Sequence, residues 1–205
     1  MKKVITALFV AAFVSVHGFA LEFILSPTIG YSNLSFEERS VSSSLNAMSI
    51  GLSAGLIIKN GFTLMFNNDI APVGSGSTIQ DGGSFDAKLD KGVAFEQSLI
   101  LGRTFKLVDN KLYVNIGSGF AWGIAKINMS KDGGYSINVF DVNVGVPLQL
   151  GAQYFFTKNI GLNLTIFDVL AVGLGYYGDK LYPLAINLAG FENVFTVKVG
   201  PMFKF

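Results

Sequence analysis

The chain has a single histidine, His17, and no cysteine. The usual general base at neutral pH and the commonest zinc ligands therefore rest on one side chain, and there is no thiolate nucleophile at all. His17 lies in an apolar N-terminal stretch that reads as a removable leader, so the exported remainder lacks these groups. Asp and Glu pairs stay chemically capable, but no spacing singles one out. Gly173-x-Gly175-x-x-Gly178 matches the dinucleotide fingerprint as letters only, because no helix signal follows it and no strand–helix–strand unit surrounds it. The expectation is a non-enzymatic chain with no cofactor and no metal.

Composition points elsewhere. Half of the 205 residues are apolar and 14% are charged, with mean hydropathy +0.48. That is too apolar for an ordinary soluble domain. The leader is expected over residues 1–20: Lys2 and Lys3 form its positive end, Val4 to Val16 its apolar run, and Gly18-Phe19-Ala20 a small-residue cleavage site. Without Lys2 and Lys3, 13 basic residues face 14 acidic ones (15 − 2 against 14). No surplus of cations suggests a nucleic-acid partner. After Ala20 no run resembles a spanning helix. The longest uncharged stretch, Ser40 to Ile58, is rich in serine. In lipid, a closed β-barrel is then the remaining way to satisfy every backbone polar group.

Period-2 alternation carries that reading. Leu21, Phe23, Leu25, Pro27, Ile29 and Tyr31 share one face; Glu22, Ser26, Thr28 and Gly30 share the other. Met48 to Ile58 on even positions, Phe62 to Phe66, Leu112 to Ile124, Phe140 to Leu150, Leu162 to Ile166 and Phe195 to Phe205 repeat the pattern. Val93 to Phe105 is less regular, with Gln97 on the apolar parity and Ile100 on the polar one. Connectors alternate: short near 59–61, 106–111 and 157–159, long near 34–45, 69–91, 125–136 and 177–192. This predicts an all-β, single antiparallel transmembrane barrel of eight strands over residues 21–205, with short periplasmic turns and longer extracellular loops. A soluble barrel would reverse the faces, greasy inside and polar outside.

The alternation then places the charges. Glu22 and Lys204 should meet where the first and last strands close. Glu96 and Lys198 fall on inward parity from opposite walls, with Asp141 a second acid for Lys198. The expected result is a lumen charge network that plugs the interior, since an eight-stranded barrel is just wide enough for side chains to fill. Asp168 would fall on the lipid side, at a cost on the order of 2 kcal/mol or less, so a bulge near Phe167–Asp168 is expected to rotate it away.

Phe205 ends an alternating strand through Phe203, Val199, Val197 and Phe195. This resembles the C-terminal assembly signal of outer-membrane barrels, and the resemblance implies the barrel-assembly machinery as a partner. Pro201 departs from the pattern, on the lipid-facing parity, and weakens pairing there. With leader and eight segments, the whole chain resembles the small outer-membrane barrels: the OmpA membrane domain, OmpX, OmpW and the opacity adhesins. The ending Lys-Val-Gly-Pro-Met-Phe-Lys-Phe is similar to that of small treponemal outer-membrane proteins of unknown function. The resemblance implies outer-membrane lipids as surroundings and two roles. One is a structural or adhesive platform that meets host or surface ligands through its loops. The alternative is a narrow channel or OmpW-like conduit for small molecules.

Overall fold

The computed structural model describes residues 21–38, 41–58, 60–73, 78–81, 86–131, 135–179 and 185–205. The leader expected over 1–20 lies outside the described residues. The elements are β1 (Leu21–Glu38), β2 (Val41–Ile58), β3 (Phe62–Val73), β4 (Thr78–Asp81), β5 (Asp86–Leu107), the short helix α1 (Val108–Lys111), β6 (Leu112–Lys131), β7 (Tyr135–Phe155), β8 (Ile160–Asp179) and β9 (Ala185–Lys204). All pairings are antiparallel, and β9 returns to β1, so the sheet closes on itself. Eight strands form the wall. The short β4 pairs with β2 and β5 above the end of β3, so β3 and β4 serve as lower and upper halves of one wall position.

The alternation seen in the sequence is the alternation of the wall. Ile50, Phe120 and Leu170 are 65%, 54% and 59% exposed, whereas Ser49, Asn67, Asn115 and Thr165 are buried inside. On β8 the outward apolar positions run from Leu162 to Leu174. Twelve rises of about 3.3 Å at a tilt of about 40° give a belt about 30 Å tall, the thickness of a bilayer's hydrocarbon core. Above the belt the strands continue: β1 and β2 stay paired to Glu38↔Val41. Much of each long connection is thus continued ladder.

The turns at the other end are tight. Gly61 takes φ +84°, and its N–H donates to the Ile58 carbonyl at 2.7 Å. A side chain there would strike the Thr104 carbonyl oxygen at 2.6 Å, so glycine is required both by the dihedral and by the space. Between β7 and β8, the Thr157 hydroxyl accepts from the Ile160 N–H at 3.0 Å.

Proline interrupts the ladder twice. The β1–β9 register passes from Leu25↔Phe203 to Ile29↔Val199 with no pairs between. Counting inward from either side sets Pro27 opposite Pro201, and neither has an N–H to give. The Ser26 hydroxyl donates to the Pro201 carbonyl at 2.9 Å. On β7, Pro147 leaves a gap between Ser118↔Leu148 and Ala121↔Gly145.

The bulge expected at Phe167–Asp168 is absent. Pairing with both neighbours is regular through Phe167 and Asp168, and the irregularity of β8 lies higher, between Gly173 and Leu174. Asp168 therefore stays on the lipid side, midway between Leu162 and Leu174. Its carboxylate accepts from Asn193 Nδ2 at 2.7 Å. A local hydrogen bond on the outer face takes the place of a rotation of the strand. Gly173, Gly175 and Gly178 belong to the β8 ladder.

Candidate functional site: the filled lumen

The interior is stacked in three layers. At the turn end, Glu22 pairs with Lys106 and stands 4.0 Å from Lys204. Lys204 Nζ donates to the Tyr113 hydroxyl at 3.0 Å and lies over the Phe155 ring at 4.4 Å. Tyr113 and Phe155 pack edge to face, with centroids 4.9 Å apart, and join Ile24, Ile57 and Met202 in an apolar cluster. Closure brings Glu22 and Lys204 together, but the nearer cation is Lys106.

The middle layer is a hydrogen-bonded crossing of the barrel. Asn67 on β3 accepts from Ser53 Oγ at 2.7 Å and donates to Ser98 Oγ at 3.1 Å and to Gln149 Oε1 at 3.0 Å. Gln149 Nε2 on β7 donates to Asn115 Oδ1 at 3.1 Å. Five strands thus share one connected set of buried amides and hydroxyls. In a confined, water-poor space each group needs such a partner.

The upper layer carries the charge. Lys198 is 1% exposed. It points inward from β9, and its Nζ donates to Asp69 Oδ2 at 2.6 Å. It also lies 5.1 Å from the Phe167 ring centroid. This corrects the expected pairing: neither Glu96 nor Asp141 holds an ion pair with Lys198. Glu96 is directly across from Asp69 in the β3–β5 ladder. Asp141 sits instead beside Glu192, both carboxylates reaching into the space over Gly173, and Asn143 Nδ2 donates to Glu192 Oε2 at 2.9 Å. Asp69 and Glu192 were missed because the sequence places both in long connectors, where the apolar alternation has stopped. Strand parity, continued across the polar outward residues Asn68 and Asn193, finds both.

Two glycines seat the ion pair. A Cβ on Gly30 would touch the Lys198 stem at 2.8 Å, and one on Gly51 would collide with Asp69 Oδ1. Gly51→Ala should therefore push Asp69 off its partner at a cost of about 1–3 kcal/mol. The check is the denaturant midpoint of the refolded barrel, followed through its single tryptophan, Trp122. An unchanged midpoint would show that Asp69 has room to move.

Of the residues expected to form an assembly signal, Val197, Val199 and Phe203 lie on the outer face of β9, and Phe205 directly follows its last residue. Phe205 and Phe23 exchange backbone hydrogen bonds of 2.9 and 3.2 Å, and their rings are 6.0 Å apart. Among the described residues, no three His, Cys, Asp or Glu side chains group to hold a metal ion.

A closed wall, apolar outside and polar within, with a packed lumen, defines a small bacterial outer-membrane β-barrel. The chain belongs to the family described as a domain of unknown function, DUF2715, whose model matches residues 19–205. Solved outer-membrane proteins share the fold. The outer membrane protein OprG from Pseudomonas aeruginosa superposes with TM-score 0.66 at 14% identity, over 90% of this chain and 95% of that one. A major outer membrane protein from Thermus thermophilus gives TM-score 0.58 at 9% identity, over 88% and 99%. Neisserial surface protein A gives 0.51 at 17% identity, over 89% and 97%. Among curated proteins, none matches the sequence significantly.

Proposed function

We propose that the chain is a non-enzymatic surface platform, exported by removal of residues 1–20 and anchored by its barrel. Its working surface is the part of the wall and its connections above the belt, directed at host or surface ligands. The observation that carries this reading is the middle layer. The Asn67–Gln149–Asn115 crossing leaves the lumen as packed core, so the chemistry on offer lies outside it. In planar bilayers the refolded protein should show no large steady conductance. A persistent open level would overturn the reading. Replacing residues 36–43 by a short Gly-Ser turn should abolish attachment of expressing cells to host-cell monolayers while the barrel still runs as a folded band before heating.

A second reading is a conduit for small molecules, entered through the wall. It is favoured by the facing prolines Pro27 and Pro201, which leave the closing seam without ladder pairs at the turn-end edge of the belt, where Pro201 lies opposite Leu162. Conductance with the lumen still packed, lost when Pro27 and Pro201 are both replaced by valine, would favour this reading over the first.

A further inference from the structure

The outer face should be apolar throughout the belt; apart from the small hydroxyl of Ser118 on β6, the departures among the described residues gather on two opposite walls. At the β8–β9 wall stands Asp168, with Leu162, Leu164 and Ile166 below it and Leu170, Val172 and Leu174 above. One carboxylate oxygen accepts from Asn193; among the described residues the other, Oδ2, has no hydrogen bond. At the β3–β5 wall Asn68 and Gln97 face each other in the ladder, and Trp122 of β6 is the next cross-strand neighbour of Gln97. Their apolar flanks are Phe66 and Ile70 on β3, Phe95 and Leu99 on β5. Among the described residues, neither amide side chain makes a hydrogen bond, and Asn68 Oδ1 is shielded without a partner. In the ring of eight wall strands, these two positions lie four strands apart, on opposite sides of the barrel.

Hydrocarbon offers no donor or acceptor, so both spots are under-satisfied in an isolated barrel. Their chemistry is complementary. One side presents a carboxylate with an oxygen to spare; the other presents two amide NH₂ groups and an indole N–H, which only donates. Contact of the Asp168 spot with itself fits worse, since it would bring two carboxylates together, and contact of the amide spot with itself would leave both Asp168 carboxylates in lipid. We infer that barrels of this protein associate side by side in the membrane, head to tail, with Asp168 of one copy accepting from Gln97 and Asn68 of the next. Because the two faces are opposite, the contact does not close on itself and propagates as a row. Such a row would multiply the surface platform without any new contact above the membrane.

The absence of native cysteine makes cross-linking decisive. Leu99→Cys and Ile166→Cys variants, which sit on the outer face one position below Gln97 and Asp168 and leave both polar spots intact, are each checked for a heat-modifiable folded band and oxidised in outer membranes. A mixture of the two single variants should give a dimer, and the double variant a ladder of dimer, trimer and higher bands. Each single variant alone should stay monomeric. Dimers from one single variant alone, or no cross-link in the mixture, would overturn the proposal. Should a cysteine variant fail to fold, the unmodified protein and Asp168→Leu provide the second test in lipid nanodiscs or native membrane extracts. The unmodified protein should associate, and Asp168→Leu should weaken that association at least tenfold while remaining folded. A purely monomeric unmodified protein, or equal association of the two, would refute the row.

Discussion

Lys198→Met is expected to destabilise the barrel by about 3–5 kcal/mol, because removing one partner of a buried ion pair leaves the other uncompensated. The geometry makes this site unforgiving. Asp69 has one oxygen on Lys198 Nζ and none on any partner through Oδ1, and Glu96 stands directly across from it. Among the described residues, Lys198 is the cation set against the neighbouring acids Asp69 and Glu96. Without it, the carboxylates repel one another in a space with little water. The companion variant separates charge from packing. Lys198→Met with Asp69→Asn removes both charges at nearly constant volume and should recover much of the loss, since a neutral pair carries a smaller desolvation cost. Both are read as denaturant midpoints through Trp122. Equal losses in the single and double variants would mean that the lysine stem, packed against Phe167, matters more than its charge.

Why the sequence located Lys198 but not its partner is a question of where alternation stops being visible. Inside the belt, lipid demands large apolar residues at every second position, so the period is written in the sequence: Val197 and Val199 flank Lys198, and its direction follows. Above the belt the outer face meets water or headgroups, and polar residues occupy both parities. The period fades there although the strand continues. Asn67-Asn68-Asp69 reads as a connector for a different reason: within the belt Asn68 puts a polar residue on the outer parity, yet β3 runs on to Val73 and turns Asp69 inward. Glu192, opposite Ala171, is hidden in the same way by the polar Asn193 beside it. The period is legible where the outer parity stays apolar and fades where a polar residue interrupts it. Asp168 failed differently. The alternation correctly set it outward, and the expectation of a bulge came from its cost in lipid. That cost is small enough for one hydrogen bond from Asn193 to offset part of it, and the ladder keeps its register. Gln97 and Ile100 teach the same lesson. Both looked like irregularities of a weak strand, and both are where parity puts them, Gln97 outside and Ile100 inside.

Deleting Phe205 is expected to remove nearly all of the protein from the outer membrane, with accumulation or proteolysis in the periplasm. The loss should be far larger than the stability the residue contributes. In the folded barrel Phe205 is 58% exposed, two backbone hydrogen bonds tie it to Phe23, and its ring contact with Phe23 is loose. Each such hydrogen bond is worth about 1 kcal/mol net, so equilibrium stability should fall by only a few kcal/mol. Its weight is instead at the step when the last strand must be found and joined to the first. The β1–β9 seam lacks ladder pairs near its turn end, where Pro27 faces Pro201, and runs unbroken above from Ile29↔Val199 to Glu37↔Phe191. Below that gap β1 is joined to β9 only by Ile24↔Lys204, Leu25↔Phe203 and the two backbone bonds between Phe205 and Phe23, so Phe205 is a large share of the seam's turn-end segment among the described residues. Two measurements divide these effects. The deletion variant refolded from urea into detergent should still form a heat-modifiable barrel with a modestly lowered midpoint. The same variant expressed in cells should be missing from outer-membrane fractions, while Phe205→Tyr and Phe205→Trp, which keep a terminal aromatic, should be present at near-normal levels. Normal outer-membrane levels of the deletion would show that closure is directed by the remainder of β9.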